Sequence, residues 1–180
     1  LSLSFGTVTD IDGNVYETVQ IGDQLWMAEN LKVTKYKDGT AIPTGLDNDA
    51  WSSTTEGAYG YYNDDLSNLN TYGNLYNWYT VDDDRGVCPD GWHVPSDEEY
   101  TILTDYLGGV DVAGGKMKST GTIEGGDGLW YPPNEGATNE SGFTGLPGGY
   151  RFGNNGNYGS MGLVGYFWSS TEYGSSDAWH

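Results

Sequence analysis

Apolar and polar positions alternate across residues 5–27, where Val8, Val15, Val19, Ile21 and Leu25 are interrupted at Asp10-Ile-Asp-Gly-Asn14 and again at Gly22-Asp23. A period of two broken by turn residues predicts a β-hairpin followed by a further strand or turn. Residues 29–42 continue as irregular strand, with Lys37-Asp38-Gly39-Thr40 a tight turn. From Pro43 to Thr71 the chain is rich in Gly, Asn, Asp and Ser and reads as a long structured loop. Leu75, Trp78 and Tyr79 then fall at helical spacing, which predicts a short amphipathic helix over Tyr72–Val81. The acidic run Asp82-Asp83-Asp84 serves as a connector after it.

A second helix is predicted over 97–107. Ser96 is its N-cap and Glu99 the capping-box partner, Tyr100, Leu103, Tyr106 and Leu107 form its buried side, and Gly108-Gly109 closes it. Beyond Gly109 glycine and proline dominate and no helical pattern stands out. Short apolar islands remain at Leu129-Trp130, Phe143 and Leu146, and Gly165–Thr171 reads as a strand. Two short helices between a hairpin and a loop-rich, mainly antiparallel β region define an α+β domain, here one domain over residues 1–180. Trp51-Ser-Ser-Thr-Thr-Glu56 returns nearly intact as Trp168-Ser-Ser-Thr-Glu172, which in a Ser/Thr-rich chain reads as coincidence rather than a repeat.

Charge narrows the function classes. Twenty-six acidic residues against seven basic ones give a formal net charge of −19. Such a field repels phosphate backbones and anionic membranes, so no nucleic-acid partner is expected. No apolar run approaches the roughly 20 residues that span a bilayer, so no membrane insertion is expected either. Scarce lysine, abundant Tyr, Asn and Gly, and strong acidity point to a secreted, extracellular or cell-surface protein. Cys88 has no possible disulfide partner within these residues, and its partner is expected outside this segment.

Eight blocks carry a resemblance. They are Thr9-Asp-Ile-Asp-Gly-Asn-Val-Tyr16, Ile21-Gly-Asp-Gln-Leu-Trp-Met-Ala-Glu-Asn-Leu31, Tyr72-Gly-Asn-Leu-Tyr-Asn-Trp-Tyr79 and Cys88 to Ser96. They continue with Gly114-Gly-Lys-Met-Lys-Ser119, Gly136-Ala-Thr-Asn-Glu-Ser-Gly-Phe143, Leu146-Pro-Gly-Gly-Tyr-Arg151 and Tyr166-Phe-Trp-Ser-Ser-Thr-Glu172. In this order they resemble the major paralogous domain family first noted in Fibrobacter and widespread in Bacteroidota. The resemblance implies a C-type-lectin-like fold, related to the domain of formylglycine-generating enzymes, in secreted or surface-attached proteins. It also implies a last strand with an Arg-Cys-Val type segment. That strand is expected to be missing from this chain, and with it the partner of Cys88.

Candidate chemistry is sparse. Asp10, Asp12 and Asn14 have the spacing that opens a calcium loop, but the twelfth position is Ile21 and the segment reads as a hairpin turn. Asn63, Asp64 and Asp65 with Asn68, and Asp82, Asp83 and Asp84, are denser oxygen clusters that read first as solvated acidic loops, with calcium the alternative and no other cofactor expected. Neither the Glu-Pro-Asn nor the Gln-Pro-Asp turn of calcium-dependent lectins occurs, and Pro132-Pro133-Asn134-Glu135 is a loose echo. Tyr59, Tyr61 and Tyr62 in the 57–62 loop are the candidates for stacking on a glycan or meeting a protein partner. Trp26, Trp78, Trp92 and Trp168 are assigned to the core. Asn139 heads the sole N-glycosylation sequon, with a structural role the stronger assignment. With His93 and His180 the only histidines, and Cys88 in acidic surroundings, no enzyme is expected.

The function expected is that of a secreted bacterial surface or extracellular structural protein. It would act by non-covalent adhesion or self-assembly, with itself or other surface proteins as partners, and could form a fibre in which Leu1-Ser-Leu-Ser-Phe5 is a donor strand. The alternative is a carbohydrate-binding module using the tyrosines.

Overall fold

The structure is a computed structural model that describes residues 5–174 together with 177 and 178. Most of the expected donor segment (residues 1–4) and His180 lie outside the described residues. The hairpin forms as the alternation predicts. Strands β1 (Phe5–Thr9), β2 (Val15–Ile21) and β3 (Gln24–Met27) make an antiparallel sheet in that order, with Val8 opposite Tyr16 and Val19 opposite Trp26.

Asp10 builds the turn. One carboxylate oxygen accepts the N–H groups of Asp12 and Asn14 at 2.9 Å each, and the other accepts Asn14 Nδ2 at 2.9 Å and the Tyr16 hydroxyl at 2.6 Å. Gly13 supplies the positive φ (86°) that the turn requires. The Tyr16 hydroxyl in turn accepts the Lys32 N–H at 2.9 Å, and Asp12 takes Thr34 and Lys35, so the hairpin is fastened to residues 32–35. The Asp10 and Asp12 carboxylates of the calcium-like spacing are thus occupied by protein donors.

Along β2 the buried face changes sides. Tyr16 and Thr18 are buried and Glu17 is exposed, but from Val19 onward the odd-numbered Val19 and Ile21 are buried and Gln20 is exposed. The strand therefore serves two layers. Val19 and Ile21 join Trp26, Ala28, Leu103, Leu107, Ala113 and Phe143 in the main core. A second core gathers Val33, Tyr36, Ile42 and Val87.

The mixed α+β class holds, with five short helices among the described residues in place of the two expected. The Pro43–Thr71 segment carries α1 (Asn48–Ser53), capped by Asp47, and two 3-10 turns at Tyr62–Asp64 and Leu66–Asn68. The helix expected over Tyr72–Val81 is divided. It becomes α2 (Leu69–Tyr72), a strand β5 (Leu75–Tyr76) paired with β4 (Tyr59–Gly60), and α3 (Trp78–Val81). Gly73 at φ 72° ends α2, and the Asn77 side chain caps α3 through the Thr80 N–H.

Helix α4 (Asp97–Tyr106) has the full Ser96–Glu99 capping box and buries Leu103, as the sequence predicts. Tyr106 departs from expectation: it is 52% exposed and lies against Gly22. Besides α1, a second unexpected helix is α5 (Val110–Met117), which buries Ala113 in the main core. Gly114-Gly115 hides it from a propensity reading, since each glycine costs a helix about 1 kcal/mol. Gly115 is required because any Cβ there would collide with the Gly136 carbonyl.

Gly165–Thr171 is not a strand. It keeps one isolated bridge, Gly149 to Gly165, because Phe167 packs into the core and Trp168 against Trp78. β6 (Tyr150–Arg151) pairs with β7 (Tyr158–Gly159), and β8 (Glu172–Gly174) pairs with β9 (Asp177–Ala178) with a register shift between Glu172 and Gly174. Trp51–Ser53 is helical whereas Trp168–Thr171 is irregular, so the two similar segments are not a structural repeat.

Candidate functional site

An apolar groove of about 560 Å³ runs along β3 and its continuation through residues 23–31. Its opposite wall comes from Val87, Cys88 and residues 91–94 and from Leu146, Phe167 and Trp168. The backbone of β3 shows why this matters. The Ala28 N–H donates to the Glu17 carbonyl at 2.8 Å, so that opposed pair is hydrogen-bonded. Antiparallel pairs alternate, which makes Trp26–Val19 and Gln24–Ile21 bonded pairs as well. The N–H and C=O groups of Leu25 and Met27 therefore point away from β2. No described strand pairs with that edge.

The floor beneath the edge is aromatic. Trp26 packs against Tyr100 and Phe143 at centroid distances of 5.3 and 5.8 Å, and Phe143 against Phe167 at 5.4 Å. Polar handles are tied down at the margins. Trp26 Nε1 donates to Gln24 Oε1 at 3.2 Å, Gln24 Nε2 to the Glu99 carbonyl at 3.0 Å, and Trp168 Nε1 to the Tyr76 carbonyl at 2.8 Å. At the rim, His93 Nε2 lies 2.8 and 3.0 Å from the Glu99 carboxylate oxygens. Partial burial alone would raise the Glu99 pKa, but hydrogen bonds from Ser96 and His93 outweigh it and hold the carboxyl below its usual range.

Cys88 lines the groove as a free thiol, with no disulfide partner among the described residues. Burial pushes its pKa up to about 11, partly offset by the charge of Lys37. At neutral pH it is a protonated, weakly nucleophilic wall residue.

The other residues singled out in the sequence sit elsewhere. Tyr59 belongs to β4, half-buried against the Tyr76 ring at 6.1 Å, and Tyr62 is half-buried against Tyr158 at 5.5 Å. Tyr61 is half-buried too, so these three form no open platform. Asp64 accepts the Tyr158 hydroxyl at 2.7 Å, Asp65 caps the next turn through the Ser67 N–H at 2.9 Å, and Asp83 holds Arg85 at 2.7 Å. Asn63, Asp82 and Asp84 are exposed. No group of three or more His, Cys, Asp or Glu among the described residues could hold a metal ion. The Asn139 side chain fastens its own turn, accepting the Thr144 N–H at 2.9 Å and donating to Thr144 Oγ1 at 3.1 Å.

Two features escaped the sequence reading. Tyr150 meets Phe152 and Tyr166 edge-on at 4.6 and 5.4 Å, making an aromatic strip with Phe152 and Tyr166 exposed. Arg151, between the first two of these aromatics in sequence, turns inward and is buried. It lies over Trp51 and Tyr158 at 4.3 and 4.7 Å and donates to the Gly156 and Leu46 carbonyls. The alternation Tyr150-Arg151-Phe152 was the available signal for both.

No helix among the described residues is long and apolar enough to cross a membrane. Residues 19–180 match the family model of the Fibrobacter succinogenes major domain. No curated protein and no solved structure matches the chain.

Proposed function

Since the chain belongs to the Fibrobacter succinogenes major domain family, we propose that it is a secreted or cell-surface structural protein acting by non-covalent association. Its lectin-like scaffold takes an extended segment of a neighbouring molecule into the β3 groove. The observation that carries this reading is the β3 edge, which no described strand pairs, above an apolar floor. An added strand satisfies the outward N–H and C=O groups of Leu25 and Met27 and sinks alternate side chains toward Trp26.

Two large apolar side chains contribute about 1.5–3 kcal/mol each on burial. Up to four edge hydrogen bonds add about 1 kcal/mol each. Association and ordering of the segment cost at least about 4 kcal/mol of that total, so the affinity expected is around millimolar. The net charge of −19 opposes association between copies, so salt strengthens it. No catalysis is assigned, and calcium has a role only if the acidic loops recruit it.

Leu25→Lys tests the reading, because it places a charge on the edge at a side chain already 52% exposed. The full chain is examined by light scattering and negative-stain microscopy, with calcium and with a chelator. Assembly that rises with salt and disappears in Leu25→Lys supports the reading. A wild-type chain that stays dispersed at high concentration under all these conditions sinks it.

A second reading, glycan binding, draws on the Tyr150–Phe152–Tyr166 strip beside the exposed amides of Asn154, Asn155 and Asn157. Glycan-array binding lost in Phe152→Ala would favour it.

A further inference from the structure

The groove is lined by acids and by no strong base. Its carboxylates are Asp23, Glu29 and Glu99, and neither Lys nor Arg is among its lining residues. His93 at the rim is already held against Glu99 at 2.8 Å. On a chain of net charge −19 this leaves the slot with a negative potential that its walls do not cancel.

Asn74 adds a polar feature at the Leu31–Tyr76 end. It lines the groove yet is only 8% exposed. Its backbone N–H donates to the Leu31 carbonyl at 3.0 Å. Its Nδ2 donates to the Lys32 and Val33 carbonyls at 3.1 and 3.3 Å and to the Tyr76 hydroxyl at 3.3 Å. These contacts fix the orientation of the amide, because the flipped form would set Oδ1 against two carbonyl oxygens. Oδ1 itself is buried without a hydrogen-bond partner. Buried polar atoms are nearly always paired, so an acceptor left open in a wall of the groove points to a donor that arrives with the occupant.

A second copy of this chain is poorly equipped to bring a cationic donor. All seven Lys and Arg already have protein partners. Lys32, Lys35, Arg85 and Lys116 pair with carboxylates, and Lys37, Lys118 and Arg151 donate to backbone carbonyls.

We infer that the groove's preferred occupant is an extended segment of a different protein, in which a Lys or Arg adjoins apolar residues and donates to Asn74 Oδ1. The inference rests on the groove being a strand acceptor and adds the chemistry of the strand it accepts. The apolar residues settle on the floor of Trp26 and Phe143, and the backbone pairs with the outward groups of Leu25 and Met27. The aliphatic stem of the base lies along Leu31 and Leu75. Binding of such a segment weakens with salt, opposite in sign to association between copies.

The test uses labelled peptides of alternating Leu and Ser that differ in one terminal residue, Lys, norleucine or Glu, placed first or last. Each is titrated with the full wild-type chain and followed by fluorescence anisotropy. The lysine peptide is expected to bind about tenfold tighter than the norleucine peptide, with the glutamate peptide weakest and the lysine advantage reduced by salt. Asn74→Ala, checked for folding by tryptophan fluorescence, is expected to bring the lysine peptide to the norleucine affinity and leave the norleucine peptide unchanged. A lysine preference that survives in folded Asn74→Ala overturns Asn74 as the acceptor. The comparison among peptides needs no variant, so it decides the cation even where Asn74→Ala fails to fold. If the lysine and norleucine peptides bind alike and both are lost in Leu25→Lys, the cation falls and the strand acceptor survives. If no peptide binds at concentrations up to about 10 mM, both ideas fall.

Discussion

Replacing Tyr16 with Phe isolates the hydrogen bonds that hold the first hairpin to the rest of the domain. The ring is fully buried and Phe fills the same space, so packing is unchanged. Two bonds are lost. One is the hydroxyl's 2.6 Å donation to the Asp10 carboxylate, a charge-assisted bond of about 1.5–3 kcal/mol. The other is its acceptance of the Lys32 N–H at 2.9 Å, whose loss leaves a partly buried donor unpaired at about 1–2 kcal/mol. Asp10 keeps its bonds from Asp12 and Asn14, so the turn itself survives. The expected cost is about 3–4 kcal/mol, or roughly 10 °C in Tm for a domain of this size. Urea unfolding at pH 7, followed by tryptophan fluorescence, should show a lower midpoint with an unchanged slope. In a double-mutant cycle with Asp10→Asn, a coupling of at least about 1 kcal/mol is expected. A Tyr16→Phe cost below about 1 kcal/mol, with no coupling, would refute the assignment of these bonds as the tie.

Other perturbations reach different parts of the structure. With its pKa pushed from 9.0 up to about 11 by burial, Cys88 should react with iodoacetamide about 100-fold more slowly at pH 8 in the folded chain than in urea; equal rates would contradict its burial. Gly57→Ala sets a Cβ against the buried Tyr36 hydroxyl and should cost about 1–3 kcal/mol in chemical denaturation, even though the glycine's φ is not positive. The hydroxyl pKa values of Tyr16, Tyr76, Tyr100 and Tyr158 are all raised, chiefly by burial. Below the ordinary tyrosine value of 10.0 both states are protonated and the full stability is present. Above it the unfolded chain sheds protons that the folded chain retains, so stability falls as pH rises. Absorbance at 295 nm and circular dichroism should then change together; smooth titration of these tyrosines at pH 10 with the fold intact would count against it.

Local chemistry was legible in the chain and long-range closure was not. The Asp10–Asn14 turn, the two-residue turn at Gly22-Asp23 and the Ser96–Glu99 box are each determined by residues a few positions apart, and all three form. Helix α5 was missed because Gly114-Gly115 argues against a helix, whereas close approach to Gly136 demands a glycine at the second position. Tyr166-Phe167-Trp168 has strong strand propensity, yet the rings are used for packing rather than pairing. The groove brings residues 23–31 against residues 143–168, a juxtaposition that no local pattern encodes. For Tyr59 and Tyr62, residue type alone could not show that each already leans on another tyrosine.

The change of buried face along β2 has a consequence for how the chain tolerates variation. An ordinary half-buried strand accepts substitutions at every other residue, a steady beat of permissive and strict sites. In β2 the beat skips. Tyr16, Thr18, Val19 and Ile21 are the strict positions, Val15, Glu17 and Gln20 the permissive ones, and two strict sites fall side by side at Thr18-Val19. Sliding the strand by one residue would therefore expose part of one layer while burying part of the other. Neither alternative register is good for both halves, and this short hairpin has a single way to sit.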